Sequence, residues 1–115
     1  MANTFKTITK AGVTSADVIY TVAGSTTTVI LGLMLGNTTG SAITATVTLG
    51  TNTANRAGNN DEANQDVELV TAVSIPGNTT LELLSGNKVV METTDILSVT
   101  GSGATDVALS VMEIT

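Results

Sequence analysis

Residues 43–49 read ITATVTL, and this strict alternation of apolar and threonine side chains decides the fold class. Successive side chains of a β-strand point to opposite faces of its sheet. The apolar side chains of this segment would therefore share one face and the threonines the other. The pattern predicts a strand with one face on a core and one face in water.

Similar patterns lie on both sides of this strand. Residues 29–35 are apolar at every position except Gly32, which predicts a central strand covered on both faces. Residues 67–75 alternate and end at Pro76-Gly77-Asn78, a strong turn signal. Further strands are predicted at residues 4–9, 17–22, 81–83, 89–92, 96–99 and 107–114.

The whole chain fits one small all-β domain. No window has the i, i+3, i+4, i+7 spacing of an amphipathic helix, and 115 residues suit one domain. About eight short strands separated by Gly, Asn and Ser are typical of a sandwich or jelly roll. The sequence predicts a single antiparallel β-sandwich, jelly-roll-like, over residues 1–115.

The composition favours a protein that is covered by neighbours. Charged residues make up 12% of the chain, about half the usual share, so much of the surface is Thr, Ser and Gly. The net charge is −6, and the four basic residues are scattered along the chain. Binding to a nucleic-acid backbone needs clustered Lys and Arg, so nucleic acid is not expected as a partner.

Catalysis is disfavoured by residue types. The chain has no His and no Cys, which removes the commonest general base, the best nucleophile and any thiolate metal site. A carboxylate pair could serve a glycosidase, but the acidic side chains at 82, 92, 95 and 113 are interpreted as solvated surface groups. We expect no enzyme activity and no cofactor.

No segment predicts a membrane partner. Residues 1–10 lack an apolar signal-type stretch, and no run approaches the roughly 20 apolar residues of a membrane span. Synthesis in a cytoplasm is therefore expected.

The most irregular segment is a polar loop predicted at residues 51–66, rich in Asn and long for so small a domain. Asn59, Asp61 and Asp66 offer oxygen ligands for Ca²⁺, although their spacing does not match an EF-hand loop. The alternative is a solvated loop without an ion. Arg56, Asn59 and Asn60 are predicted to contact a partner.

The N-terminal segment, residues 1–10, is the second predicted contact region. Phe5 is the single Phe, and Lys6 and Lys10 are half of the basic residues. Such a terminus orders when a partner or a sheet edge holds it. We interpret it as a contact arm, with one alternative in which Phe5 fills one end of the sandwich.

Several smaller features are interpreted structurally. The Asn-Thr-Thr triplets at Asn37 and Asn78 predict turns rather than glycosylation sites. The glycines at 32 and 36 predict close approach of another backbone or a bulky side chain. The methionines at 34, 91 and 112 are interpreted as core fillers, and Tyr20 as packed in the core or at an edge.

The sequence also resembles a family of proteins. The opening MANTFK, the strand VIYTV at 18–22 and the segment TTTVILGL at 26–33 resemble small virion structural proteins of tailed bacteriophages, of the marine and cyanobacterial type. Three segments in the C-terminal part of the chain are similar to these phage proteins as well: KVVMET at 88–93, DILSVT at 95–100 and LSVMEIT at 109–115. The loop at 52–66 has no counterpart in this resemblance.

The resemblance implies a β-sandwich built into a virion in many copies. It favours a capsid decoration, or cement, protein that associates with itself, for example as a trimer, and with the major capsid protein. A neck, collar or tail protein, at the tail tip or fibre base, is the alternative, and a carbohydrate-binding receptor module is a third. The implied location is the virion, after synthesis in the cytoplasm of a host bacterium.

Overall fold

The structure, a computed structural model, describes residues 2–52, 65–84 and 88–115. These residues form nine β-strands and no helix, so the predicted all-β sandwich is confirmed. Several strands are longer than the short ones predicted, with 11 residues in each of three. The strands are Asn3–Val13 (β1), Ala16–Thr21 (β2), Thr27–Asn37 (β3), Ile43–Thr51 (β4), Gln65–Ile75 (β5), Thr80–Leu83 (β6), Val89–Met91 (β7), Ile96–Gly101 (β8) and Thr105–Ile114 (β9).

The strands form two antiparallel sheets. The first sheet has the order β1-β9-β3, with β6 and β7 both paired to β3. These two short strands follow each other along the same side of β3 and occupy one edge position. The second sheet has the order β2-β8-β4-β5. Apart from β4–β5 and β6–β7, every connection crosses between the sheets, which is the connectivity of a jelly roll.

The core lies between the two sheets and is almost entirely aliphatic. The low aromatic content predicted this composition, and Tyr20 is the one aromatic residue buried there. Burying each large aliphatic side chain contributes about 1.5–3 kcal/mol. The largest fully buried side chains are Ile30, Leu33, Leu35, Ile75, Met91, Leu97, Leu109, Val22, Val47, Val99 and Val111, with Thr28 as the polar exception.

A buried asparagine organises one end of the sandwich. The Asn37 Nδ2 donates to the carbonyl oxygens of Ser41 at 2.8 Å and Ile75 at 2.9 Å, and its Oδ1 accepts from the Thr39 backbone N–H at 2.9 Å. Asn78 in the facing loop has φ 57°. Both Asn-Thr-Thr triplets therefore form turns, as predicted, because Asn bonds its neighbouring backbone and tolerates left-handed dihedrals.

A buried carboxylate organises the other end. Asp95 is fully buried, and its two oxygens accept backbone N–H groups from Glu92 at 2.9 Å and Asn52 at 3.2 Å. The interpretation of Asp95 as a solvated surface group was therefore wrong. The turn between β7 and β8 leaves donors that need an acceptor, and the carboxylate supplies it.

The predicted polar loop is shorter than residues 51–66. Thr51 ends β4, and Gln65 and Asp66 begin β5. Of the segment between them, residues 53–64 lie outside the described residues. The predicted contact residues Arg56, Asn59 and Asn60, and the predicted calcium ligand Asp61, fall there.

Candidate interaction surface on the first sheet

The N-terminal segment is an edge strand and not a free arm. From Asn3 to Lys10 it pairs with β9 without interruption, from Asn3↔Ile114 to Lys10↔Val107. The sheet therefore holds this segment, which was one of the two ways expected for such a terminus to become ordered. Phe5 does not fill an end of the sandwich, because 70% of its surface is exposed.

The other side of β1 is an open backbone edge. No strand among the described residues pairs with it. Ala2 and Thr115 exchange both backbone hydrogen bonds, and antiparallel pairs alternate between bonded and non-bonded positions. Asn3, Phe5, Thr7 and Thr9 are consequently the residues whose N–H and C=O groups point to the open edge.

The other sheet edges are less regular than β1. Strand β2 has six residues and a register shift between Val18 and Tyr20. Strand β5 shifts register twice against β4 and contains Ala72 at φ 46°, and β6 and β7 have four and three residues. Short strands and bulges discourage pairing with another chain. Among the described strands, β1 alone has a long regular stretch at an edge, from Asn3 to Lys10, and its register shifts only after Lys10.

An apolar row crosses the outer face of the first sheet. Phe5 lies opposite Met112, Met112 opposite Val29, and Val29 opposite Val90, so one side chain comes from each neighbouring strand. Phe5 and Val90 are 70% and 55% exposed at the two ends of the row, and the two between them are half-buried. We call these four residues the outer apolar row.

A groove of about 600 Å³ lies beside this row on the same face. Thr9 of β1, Ala108 of β9 and Met34 of β3 follow one another across its floor, since Thr9 pairs with Ala108 and Ala108 with Met34. Small side chains on neighbouring strands leave this space. The groove reaches the open edge of β1 at Thr9.

These positions correct three sequence-based predictions. Met34 is 44% exposed, so it is not a core filler, whereas Met91 is fully buried. A Cβ at Gly32 would meet nothing within 4 Å among the described residues, and one at Gly36 would make only ordinary contacts. Residues 29–35 form a central strand, but the described residues cover only its inner face. The central position was predicted correctly, whereas the predicted cover on both faces is not found among the described residues.

The inner side of β1 carries a polar network. Lys6 Nζ contacts Glu113 Oε1 at 2.8 Å, and the Tyr20 hydroxyl donates to Glu113 Oε2 at 2.5 Å. The Thr28 hydroxyl lies 2.8 Å from the Tyr20 oxygen and donates to it, because the tyrosine proton is already used. Glu113 is only 14% exposed, so its interpretation as a solvated carboxylate was wrong.

This network shifts two pKa values in opposite directions. The hydrogen bond from Lys6, followed by that from Tyr20, lowers the pKa of Glu113 below its ordinary 4.5. Burial, followed by the hydrogen bond to Glu113, raises the pKa of Tyr20 to about 12. The network therefore holds an ionised carboxylate against a neutral phenol and stabilises the closure between β1 and β2.

The second lysine of β1 also faces inward. Lys10 Nζ lies 3.4 Å from Asp17 Oδ2 on β2. Both ammonium groups are thus engaged within the chain, and Phe5 is the predicted contact residue that projects outward. Asp66 lies exposed at the start of β5, and the calcium site stays a prediction. The described residues contain no group of three acidic side chains that could hold a metal ion.

The outer face of the second sheet is mostly polar, with Val18 as an exposed apolar side chain. Thr44, Thr46 and Thr48 of β4 point outward, and Thr46 and Thr48 lie opposite Thr100 and Ser98 of β8. This arrangement confirms the predicted wet face of residues 43–49. No helix in the described part of the chain is long and apolar enough to cross a membrane.

No protein-family model and no curated protein matches the chain. A structure of Bacillus endospore appendages, which form disulfide-linked pili, is similar at 14% identity and TM-score 0.48, covering 99% of this chain and 87% of that chain. A structure of infectious bursal disease virus, Gx strain, is similar at 10% identity and TM-score 0.38, covering 98% of this chain and 37% of that one. A structure of the T13 viral particle of the same virus is similar at 11% identity and TM-score 0.26, covering 96% of this chain and 35% of that one. At these scores no function is assigned from the likeness.

Proposed function

We propose that this chain is a non-catalytic structural subunit of a bacteriophage virion, and that it serves as a capsid decoration protein. The observation that carries the proposal is the outer apolar row, Phe5–Met112–Val29–Val90, on a face that the described residues leave uncovered. Exposed apolar side chains that are contiguous mark surfaces for association. The resemblance to small phage structural proteins supplies the setting, in which the subunit bridges neighbouring capsid subunits.

The size of the first sheet suits such a contact. Four strand positions about 4.8 Å apart, taken over the roughly 37 Å length of the 11-residue strand β3, give a face of at most roughly 700 Å². A standard protein interface buries about 800 Å² on each partner. One face of this sandwich is therefore large enough for a specific contact, and many copies on one particle would add avidity.

A carbohydrate-binding role is not proposed. Sugar sites usually present exposed aromatic rings, whereas Tyr20 is 9% exposed and its hydroxyl is engaged by Glu113 and Thr28. Phe5 is the one aromatic ring exposed among the described residues, and it lies in an apolar row. An aromatic pair that could sandwich a sugar ring is absent from the part of the chain that the structure describes.

The test is the copy number of this chain in purified virions, measured by quantitative mass spectrometry against the major capsid protein. A decoration protein is expected at the copy number of the capsid protein or at a simple fixed fraction of it. A far smaller number would overturn the decoration role and place the chain at the neck, collar or tail. Absence from the particle would overturn the structural role itself.

A further inference from the structure

We propose that two copies of this chain pair through their β1 edges, antiparallel across a twofold axis at Thr7. In this dimer Phe5 of each copy lies at the mouth of the other copy's groove. The inference rests on the proposed role as an assembling subunit, and it names the first partner as a second copy. Its basis is the open regular edge, the position of Phe5 and the groove that begins at Thr9.

Backbone geometry limits the registers of such a pair. The outward-pointing groups belong to odd-numbered residues of β1, so in an antiparallel pair odd residues must face odd residues of the second copy. Registers centred on Lys6 or Ile8 are disfavoured, because they would place Lys6 directly opposite Lys6 or Lys10 of the second copy. Centring the axis on Thr7 places Phe5 opposite the second copy's Thr9 and Lys6 opposite its Ile8.

The charges on β1 are compatible with this register. Lys6 is paired with Glu113 and Lys10 with Asp17 inside each copy, which lowers the repulsion between two basic strands. Lys10 lies opposite the second copy's Thr4, so like charges do not face each other. The inward position of the lysines leaves the backbone of the edge accessible.

The side chains on the outer face favour Thr7 over the remaining compact register. In the pairing centred on Thr7, the outer apolar row ends at Phe5 and is continued by Thr9, Ala108 and Met34 of the second copy. Those three residues form the floor of the groove. The twofold axis repeats the contact, so each copy supplies one ring and one groove. A register centred on Phe5 would bring the two rings together and leave both grooves empty.

The strand that pairs with β1 is expected to be β1 of a second copy and not another edge strand, because regular pairing needs two regular strands. Strand β5 shifts register twice, and β2, β6 and β7 are short. Within the described strands, β1 is therefore the best partner for β1. An isologous pair of this kind is closed by its own symmetry and yields a dimer rather than a filament.

The first experiment uses cysteine substitutions, since the natural chain has no cysteine. In the proposed pair the two Thr7 Cα atoms lie about 5.5 Å apart, which suits a disulfide. Thr7→Cys is expected to form a covalent dimer under mild oxidation. Thr9→Cys is the matched control and is expected to stay monomeric on a denaturing gel, because its two copies lie about four residues apart along the strands. Linkage through Thr9→Cys or Phe5→Cys, with none through Thr7→Cys, would overturn the register.

The second experiment measures the dimer itself by sedimentation equilibrium of the full chain. The wild type is expected to dimerise, and Phe5→Ser to weaken dimerisation by at least about tenfold. Val18→Ser, which alters an exposed apolar residue of the other sheet, should leave it unchanged. A wild type that is monomeric at every concentration would overturn the dimer, and so would equal effects of both substitutions. Normal copy number in virions alongside a monomer would leave the proposed function standing.

Discussion

The two outer faces of this sandwich differ in a way that the core does not explain. The first sheet presents the outer apolar row and Met34 to the outside, whereas the second sheet presents a row of threonines and one exposed apolar side chain, Val18. Both sheets bury the opposite faces of their strands in the same aliphatic core. Threonine is common on the solvent-exposed face of a β-sheet. The apolar side chains of the first sheet therefore indicate a neighbour other than water.

The edges of the two sheets repeat this contrast. Strand β5 ends the second sheet with two register shifts, while β1 ends the first sheet with a regular ladder from Asn3 to Lys10. Irregular edges resist pairing, and regular ones invite it. One side of the molecule is thus suited to solvent and the other to association.

The largest expected difference in stability is between a substitution on the inner face of the first sheet and one on its outer face. Leu109→Ala removes a fully buried side chain from the centre of β9 and should lower the free energy of unfolding by about 2–5 kcal/mol. Met34→Ala, on the outer face, should change it by less than about 1 kcal/mol, because Met34 is 44% exposed. Denaturant unfolding of both variants measures the difference. Equal losses would mean that the outer face is part of the fold's own core.

The polar network beneath β1 should give the next largest effect. Tyr20→Phe removes the hydroxyl that donates to Glu113, a hydrogen bond to a charged group that contributes about 1.5–3 kcal/mol. Chemical denaturation at neutral pH measures this loss. Thr28→Val should cost less, because it removes only the second, uncharged hydrogen bond to Tyr20.

The same network predicts how stability depends on pH. The pKa of Glu113 is lowered in the folded state, so its contribution is present above its ordinary 4.5 and is lost as pH falls through the folded pKa. Tyr20 has a pKa raised to about 12, so its contribution is lost as pH rises from 10.0 towards that value. Glu113→Gln should flatten the acid limb and Tyr20→Phe the alkaline limb in unfolding measured across pH. If both variants kept the acid and alkaline limbs of the wild-type stability profile, the hydrogen-bond network would be contradicted.

A smaller effect on stability is expected from replacing glycine by alanine at two different positions. Gly77→Ala would place a Cβ 2.6 Å from the Gly40 backbone carbon, where two loops cross, and should cost about 1–3 kcal/mol. Gly32→Ala would meet none of the described residues within 4 Å and should change stability by about 0.5 kcal/mol or less. Thermal unfolding compares the two variants. A larger loss at Gly32 would show that its surroundings are already filled.

The smallest effect on stability is expected from one charge placed on either outer face. Ser110→Lys on the first sheet and Thr100→Lys on the second both alter exposed positions and should shift stability by about 0.5 kcal/mol or less. Their effects on assembly should differ, because only Ser110 lies on the apolar side. Ser110→Lys should lower incorporation into virions, as measured by mass spectrometry, and Thr100→Lys should not. Equal incorporation would remove the distinction between the faces.

Much of the fold could be predicted from local patterns. The alternation at residues 43–49 placed a strand with a wet threonine face, and the turn at Pro76-Gly77-Asn78 ended the next strand. The burial of Asp95 and the partial burial of Glu113 could not be predicted in this way. Each carboxylate is held by partners that are distant in sequence: Asn52 for Asp95, and Lys6 and Tyr20 for Glu113.

The candidate surface was predicted only in part. Phe5 was identified as a contact residue because it is the single Phe, and its exposure is consistent with that role. Met34 was assigned to the core because an apolar residue in an apolar run has the same local signal on either face. Only the register with Ala108 and Glu82 places it outside.

By itself, the sequence determined that the chain forms a β-sandwich with an aliphatic core, because side-chain alternation and turn residues are local properties of the backbone. The tertiary structure decided which apolar residues remain uncovered, because that depends on strand order and pairing register. It also decided that Lys6 and Lys10 are turned inward by Glu113 and Asp17. Because the lysines are paired within the chain and the outer apolar row is left uncovered by the described residues, Phe5 and the edge of β1 are available to a partner.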